Sequence, residues 1–217
     1  MDMELARFNM IEQQVRPWEV LDQTVLEIMR KIPREKFVAP EQMRLAYADV
    51  ELPLAHGENM MHPRVEGRML QELAISVDDT CLEIGTGSGY VTACLAHLSK
   101  EVYSIDTHQD FLDTAHQRLL DCHIDNVTLE AKDAFTDLDT SKQYDTIAVT
   151  GSVPEYTTYF EQMLKVGGRL FMVVGTEPAM HATLVTRTSE TEFSRTSLFE
   201  TVLKPLNGVT HVKGFVL

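Results

Sequence analysis

The chain predicts an α/β fold: a mostly parallel sheet with helices on both faces, an antiparallel C-terminal edge and a helical N-terminal extension. Three observations carry this expectation. From about residue 80, short β-rich runs alternate with helical patterns, a spacing that implies right-handed crossovers between parallel strands. The tail from Ala182 instead sets two β-rich runs around a polar Ser189–Glu192 turn, with no helix between them. The first 75 residues or so read as helical and irregular.

In the extension, taken as residues 1–75, Val25, Ile28, Met29 and Ile32 recur on one helical face behind a capping Asp22. Pro33 and Pro40 interrupt that pattern, and Leu52-Pro-Leu-Ala-His-Gly57 reads as a loop. Pro63 opens a helix running to about Leu73. In the core, taken as residues 76–217 and one compact unit, Cys81–Ile84, Val102–Ile105, Val127–Leu129, Thr146–Thr150 and Arg169–Val174 read as strands. Helices are expected over Val91–Leu98, along Phe111, Leu112, Ala115 and Leu119, and along Tyr156, Tyr159, Phe160 and Met163.

Composition narrows the function. The 217 residues include 33 Asp and Glu against 19 Lys and Arg, a net charge of −14. A duplex-binding surface needs a basic stripe to displace counterions, and none is visible, so neither nucleic acid nor an anionic membrane is an expected partner. No segment approaches the roughly 20 apolar residues of a spanning helix. The acidic start Met1-Asp2-Met3-Glu4-Leu5 is unlike a secretory signal. Cys81, Cys94 and Cys122 are too few and too widely spaced for a disulfide scaffold or a zinc ribbon. A reducing cytoplasm is the expected compartment. The histidines, His108 and His116 among them, lack ligand spacing and read as helix surface, so no metal is expected.

The most informative segment is Leu82-Glu83-Ile84-Gly85-Thr86-Gly87-Ser88-Gly89-Tyr90, between a strand and a helix. Its glycines let the chain turn sharply and let a ligand approach backbone amides at the helix start. The next strand ends at Asp106, 17 residues beyond Gly89, where a carboxylate can accept hydrogen bonds from ribose hydroxyls. Asp133, beside Ala134, follows the third strand and is placed to reach an adenine amine, although Asp137 and Asp139 lie close by. The spacing is Gly-x-Gly-x-Gly rather than the dinucleotide Gly-x-Gly-x-x-Gly, and no Gly-Lys-Ser/Thr follows. Acidic loop residues suit a ligand bearing an ammonium and a sulfonium. The pattern resembles the S-adenosyl-L-methionine site of class I methyltransferases, which have a Rossmann-like fold.

A narrower resemblance runs from Met10 to Leu206. The segments Ile32-Pro33-Arg34-Glu35-Lys36-Phe37-Val38, Ala46-Tyr47-Ala48-Asp49, Leu52-Pro53-Leu54, Glu83–Tyr90, Val102–Asp106, Val149-Thr150 and Lys165–Leu170 are similar, in order, to the protein-L-isoaspartate (D-aspartate) O-methyltransferases. That resemblance implies methylation of isoaspartyl carboxylates in proteins or peptides, the first step in repairing aged chains. It implies cofactor contacts at Glu83, Gly85, Thr86, Gly87, Ser88, Gly89, Asp106, Asp133 and Ala134. The acceptor side departs from the family pattern. The loop Gly-Gln-Thr-Ile-Ser-x-Pro is here Gly57-Glu58-Asn59-Met60-Met61-His62-Pro63, so Met61 falls where the family has serine. Family Ala-Ala is here Gly151-Ser152, and Phe-Val-Pro-Leu is Leu203-Lys204-Pro205-Leu206. Asn59, Met61 and His62 are the acceptor-loop candidates, with no certain catalytic group. Methylation of another acceptor, or donor binding without transfer, are the alternatives that these departures leave open; a nicotinamide-dependent oxidoreductase is the alternative on fold alone.

Overall fold

The computed structural model describes residues 2–209; residues 210–217 of the expected core span lie outside the described residues. Helix α1 (Met3–Met10) starts where Asp2 accepts the Glu4 and Leu5 amide N–H groups, both at 3.1 Å. Helix α2 (Gln23–Lys31) is capped as its sequence predicts, the Asp22 carboxylate accepting from Thr24 N at 2.8 Å and Val25 N at 3.1 Å. It stops at the extended Ile32 because Pro33 disfavours helical geometry in the residue before it. Two short strands, β1 (Leu52–Pro53) and β2 (Asn59–Met60), pair antiparallel and pinch off loop 54–58. Helix α3 (Pro63–Leu73) follows at once, with Pro63 in its first turn where a missing N–H costs nothing.

The core comprises β3 (Thr80–Ile84), α4 (Tyr90–Leu98), β4 (Glu101–Asp106), α5 (Gln109–Asp121), β5 (Val127–Ala131), β6 (Tyr144–Val153), β7 (Leu164–Thr176), β8 (Ala179–Arg187) and β9 (Phe193–Glu200). The seven strands lie in the order β5-β4-β3-β6-β7-β8-β9. The first five are parallel, and β8 and β9 add an antiparallel edge, as the tail predicts. From β3 the chain steps outward through β4 to β5, then returns to the other side of β3 as β6. The strand order therefore reverses between β3 and β6, and a crevice opens beyond their carboxyl ends, where ligands bind in such sheets.

Side chains alternate between the two faces with the period of two expected of strands. On β7, Phe171 and Val173 join one buried cluster while Leu170 and Met172 join the other. The first cluster also takes in Met10, Leu26 and Met29 of the extension, Leu70 of α3 and Leu95 of α4. Sandwiched in this way, α4 is apolar almost all round, and His97 is its one residue that is not buried.

The expected helix at Tyr156–Met163 does not form. Only a short 3-10 turn, Glu161–Met163, is present, and Phe160 and Met163 enter the second cluster from irregular chain. The reason is local. Thr157, Thr158, Tyr159 and Phe160 are all weak helix formers, and few residues separate β6 from β7. Phe135 from the loop after β5 packs against Tyr159 and Phe160, with ring centroids 6.1 and 5.3 Å away, and covers the sheet in place of a helix.

One buried polar group ties the segments of the extension to one another and sets them against the start of α4. Arg34 is fully buried; its Nε donates to Ala46 O at 2.9 Å, one terminal nitrogen to Met61 O at 2.7 Å, and the other to the Glu66 carboxylate on α3. Its guanidinium carbon lies 5.0 Å from the Tyr90 ring centroid at the start of α4. Burial pushes the Glu66 carboxyl up to about 7, with Arg34 pulling it back. Removing one member of such a set leaves its partners desolvated and unpaired. Arg34→Met is therefore expected to cost about 3–5 kcal/mol of unfolding free energy, read from the urea midpoint; a loss below about 1 kcal/mol would contradict this account.

Candidate active site

The loop after β3 turns with three positive-φ glycines, and Gly85 shows why one is needed. Its φ is 98°, and a Cβ there would stand 2.3 Å from the Thr150 hydroxyl. That hydroxyl, at the end of β6, lies 2.9 Å from Ile84 O and 2.7 Å from Gly85 O, bridging the reversal point. Next along the loop, Gly87 N donates to Asp106 Oδ2 at 2.9 Å, and His108 N donates to Oδ1 at 2.9 Å. The end of β4 is thereby tied to the loop of β3. Each Asp106 oxygen keeps lone-pair capacity for a further donor.

Glu83 lies beneath the loop. It is fully buried and accepts from Ser104 Oγ at 2.6 Å and from Thr92 Oγ1, while the Ser104 and Thr86 hydroxyls are 2.6 Å apart. A relay of hydroxyls thus runs from the loop to this carboxyl. Burial pushes Glu83 up to about 8; Ser104 and Thr92 draw it down, and the charge of Asp106 drives it up. Its Oε1 has no partner among the described residues, which leaves it to a proton or a ligand group.

The crevice is a partly open cleft beyond the carboxyl ends of β3, β4 and β6. Of the residues predicted from sequence, Gly85, Gly87, Asp106, Ala134 and Asn59 line it. Thr86, Ser88 and Met61 line a smaller recess that shares Leu54, Asn59, Gly85, Gly87 and Thr150 with it. Glu66 and Met60 form the rest of that recess with Val91. Three predicted residues stand behind the walls. Glu83 supports the loop from below, and Gly89 opens α4 against Ala115. Asp133 turns its Oδ1 to Phe135 N at 2.8 Å. His62 lies outside both cavities, with Nδ1 3.4 Å from Asp49.

Several wall residues were not predicted. His108 is not the helix surface expected of it: at the N-terminus of α5 it stacks on His56, ring centroids 4.1 Å apart and planes 14° from parallel, and it lines the crevice. Phe111 lies beside both rings. Lys204, Leu206 and Asn207 reach the site from the chain end, and Asn207 Nδ2 donates to Thr107 Oγ1 at 3.2 Å. Their sequence carries no periodicity that would bring them to the loop. Only the departure of residues 203–206 from the family pattern marks the segment.

An adenosyl ligand fits what is here: a backbone turn without side chains, a carboxylate with spare acceptors, and an apolar wall of Ile105, Phe111 and Ala134. Fold and site together define a class I S-adenosylmethionine-dependent methyltransferase. The family profile of protein-L-isoaspartate(D-aspartate) O-methyltransferase (PCMT) matches residues 6–210. A protein-L-isoaspartate O-methyltransferase of Rhodopseudomonas palustris is 34% identical over 201 residues, 92% of each chain. Protein-L-isoaspartate O-methyltransferase 2 of Marinobacter nauticus is 34% identical over 209 residues, 95% of each. A Plasmodium falciparum member, solved in complex with S-adenosyl-L-homocysteine, superposes with a TM-score of 0.81 at 18% identity, covering 95% of this chain and 98% of its own. The chain belongs to the protein-L-isoaspartate (D-aspartate) O-methyltransferase family.

The buried Glu83 makes stability depend on pH. Its folded value, about 8, lies above the ordinary 4.5, so the folded state holds an extra proton between the two. Stability must then fall as pH rises through this window, by at most about 1.4 kcal/mol per pH unit from this group. Urea midpoints measured from about pH 6 to 8.5 are expected to decline, with Glu66 sharing the fall below about pH 7, and Glu83→Gln to flatten the decline above it. Parallel slopes for the two proteins would show that Glu83 is not the source.

Proposed function

We infer that this crevice binds S-adenosylmethionine and that the chain transfers the methyl group to the carboxylate of isoaspartyl residues in proteins. The observation that carries the reading is the Asp106 carboxylate held by Gly87 at the strand-order reversal, in a chain of this family. The donor supplies an electrophilic methyl group on a sulfonium. Asp106 is assigned the ribose hydroxyls, Gly85 and Gly87 the close backbone approach, and Ile105, Phe111 and Ala134 the base. Thr86 and Ser88, in the recess, are assigned the amino-acid end.

The acceptor needs no general base. A peptide carboxylate has a pKa of about 4 and is already ionised at neutral pH. What remains for the protein is to hold nucleophile and methyl carbon together and exclude water, a contribution large enough to dominate such a displacement. Asn59 stands where the crevice and its recess meet and donates to Glu51 Oε2 at 3.2 Å, keeping a second amide hydrogen for the acceptor. Met61 is 5% exposed and walls the recess, so it keeps water out but offers the acceptor no hydrogen bond. His62 faces Asp49 and is left out of the reaction in this assignment.

Among the described residues no helix is long and apolar enough to cross a membrane. We take the compartment to be the cytoplasm, a reading supported by the three unpaired thiols Cys81, Cys94 and Cys122.

Labelled donor incubated with an isoaspartyl peptide is expected to give a base-labile methyl ester, and the matching aspartyl peptide to give none. Met61→Ser is expected to raise that rate by about tenfold, the worth of one hydrogen bond to a charged group. Absence of ester above background would overturn the reading, and an unchanged or lower rate in the variant would overturn the role given to Met61.

A further inference from the structure

The residues after β9 return to the site as a strap. Ser152 N donates to Lys204 O at 2.9 Å, Ser152 Oγ to Leu203 O at 2.8 Å, and Leu206 N to Ser152 O at 2.9 Å. This seats residues 203–206 beside the end of β6. Gly151 eases this approach: a Cβ there would fall 2.7 Å from Leu206 Cδ2 and 3.3 Å from Lys204 O, so the Leu206 side chain would have to turn aside. From the strap, Lys204 Nζ crosses to the acceptor-side loop, donating to Gly57 O at 2.8 Å and Glu58 Oε1 at 2.6 Å.

The charges around the crevice make that lysine stand out. Its walls carry the carboxylates of Glu51, Glu58 and Asp106 and the ammonium groups of Lys132 and Lys204. Lys132 is engaged with Glu130 and the Tyr103 hydroxyl, both at 2.8 Å. An ammonium has three donors, and Lys204 uses two of them on the loop. Its pairing with Glu58 is partly exposed, 39% and 21% for the two side chains, so the contact is weak and readily exchanged. Past Asn59, where the crevice meets the recess, Met60 and Met61 offer nothing to neutralise an anionic acceptor.

We propose that Lys204 captures the carboxylate of the acceptor and that Glu58 competes with the substrate for it. The proposal rests on the function inferred above only in taking the acceptor to be a carboxylate. Without substrate, Glu58 occupies the ammonium. With substrate, the carboxylate takes the free donor and displaces Glu58, a charge-assisted exchange between like groups. Gly151 and Ser152 act through Lys204 by fixing the strap that carries it.

The test is equilibrium binding of an isoaspartyl hexapeptide to protein saturated with S-adenosylhomocysteine, followed by calorimetry. Lys204→Gln is expected to weaken binding about tenfold or more, as loss of a hydrogen bond to a charged group does, and Lys204→Arg to restore most of it. Glu58→Gln removes the competitor and a negative charge, and is expected to tighten binding severalfold. The opposite signs are diagnostic. A contact that merely fastens the loop is broken equally by either change to Gln, so both would shift affinity the same way. That outcome, an unchanged affinity in Lys204→Gln, or no peptide binding to the unaltered protein would each overturn the proposal. S-adenosylhomocysteine titrations confirm that each variant is folded; should Lys204→Gln fail to fold, the sign for Glu58→Gln and the Lys204→Arg affinity still decide. Peptide that binds with these signs yet is never methylated would count against the inferred activity and leave the carboxylate site standing.

Discussion

The buried guanidinium of Arg34 gives a fixed polar register to pieces of chain that otherwise meet only through apolar packing. It joins Ala46, the Met61 carbonyl, the Glu66 carboxylate and the Tyr90 ring, four segments brought together around one side chain. Desolvating a guanidinium is expensive unless its donors are satisfied and its charge is met, so the arrangement tolerates little adjustment. The consequence reaches the site directly. Met61 walls the recess and Tyr90 follows the glycine loop, so acceptor side and donor side are positioned relative to each other through Arg34.

The donor side shows the same economy. Asp106 lies at the end of one strand and its ligand-facing loop at the end of another, and the Gly87 amide joins them. The carboxylate thus fixes the backbone turn and, in the inferred function, also holds the sugar. Beneath it, Glu83 is surrounded by the hydroxyls of Thr92 and Ser104 and kept mostly protonated at neutral pH by burial. A second negative charge under the loop would work against that of Asp106. Keeping Glu83 neutral lets Asp106 stay the acidic group of the crevice.

Much of this was legible in sequence, for physical reasons that also explain the exceptions. The parallel strands announce themselves because residues buried on both faces are apolar in short unbroken runs, as in Leu170–Val173. The Asp22 cap and Pro63 start are local chemistry and appear where expected. Apolar residues at helical spacing misled at Tyr156–Met163, because aromatic side chains can cover a sheet from irregular chain as well as from a helix. The glycine loop and Asp106 were visible through spacing alone. The His56–His108 stack and Lys204 were not, since each depends on a contact between segments far apart in sequence.

An enzyme carrying −14 charges that acts on a carboxylate poses an electrostatic problem, and the fold meets it locally. Charges farther than about 8 Å are largely screened in physiological salt, so the net charge governs approach less than the few groups lining the crevice. Because the nucleophile is already ionised, no proton-transfer residue constrains the acceptor side; position and charge balance are what it must supply. The donor side has no such freedom, since the Gly85 turn leaves 2.3 Å between a would-be Cβ and Thr150. That contrast accounts for the pattern in this chain: the motifs around the donor are retained, and the departures gather at Met61, Gly151-Ser152 and Lys204, where several side chains can satisfy the same requirement.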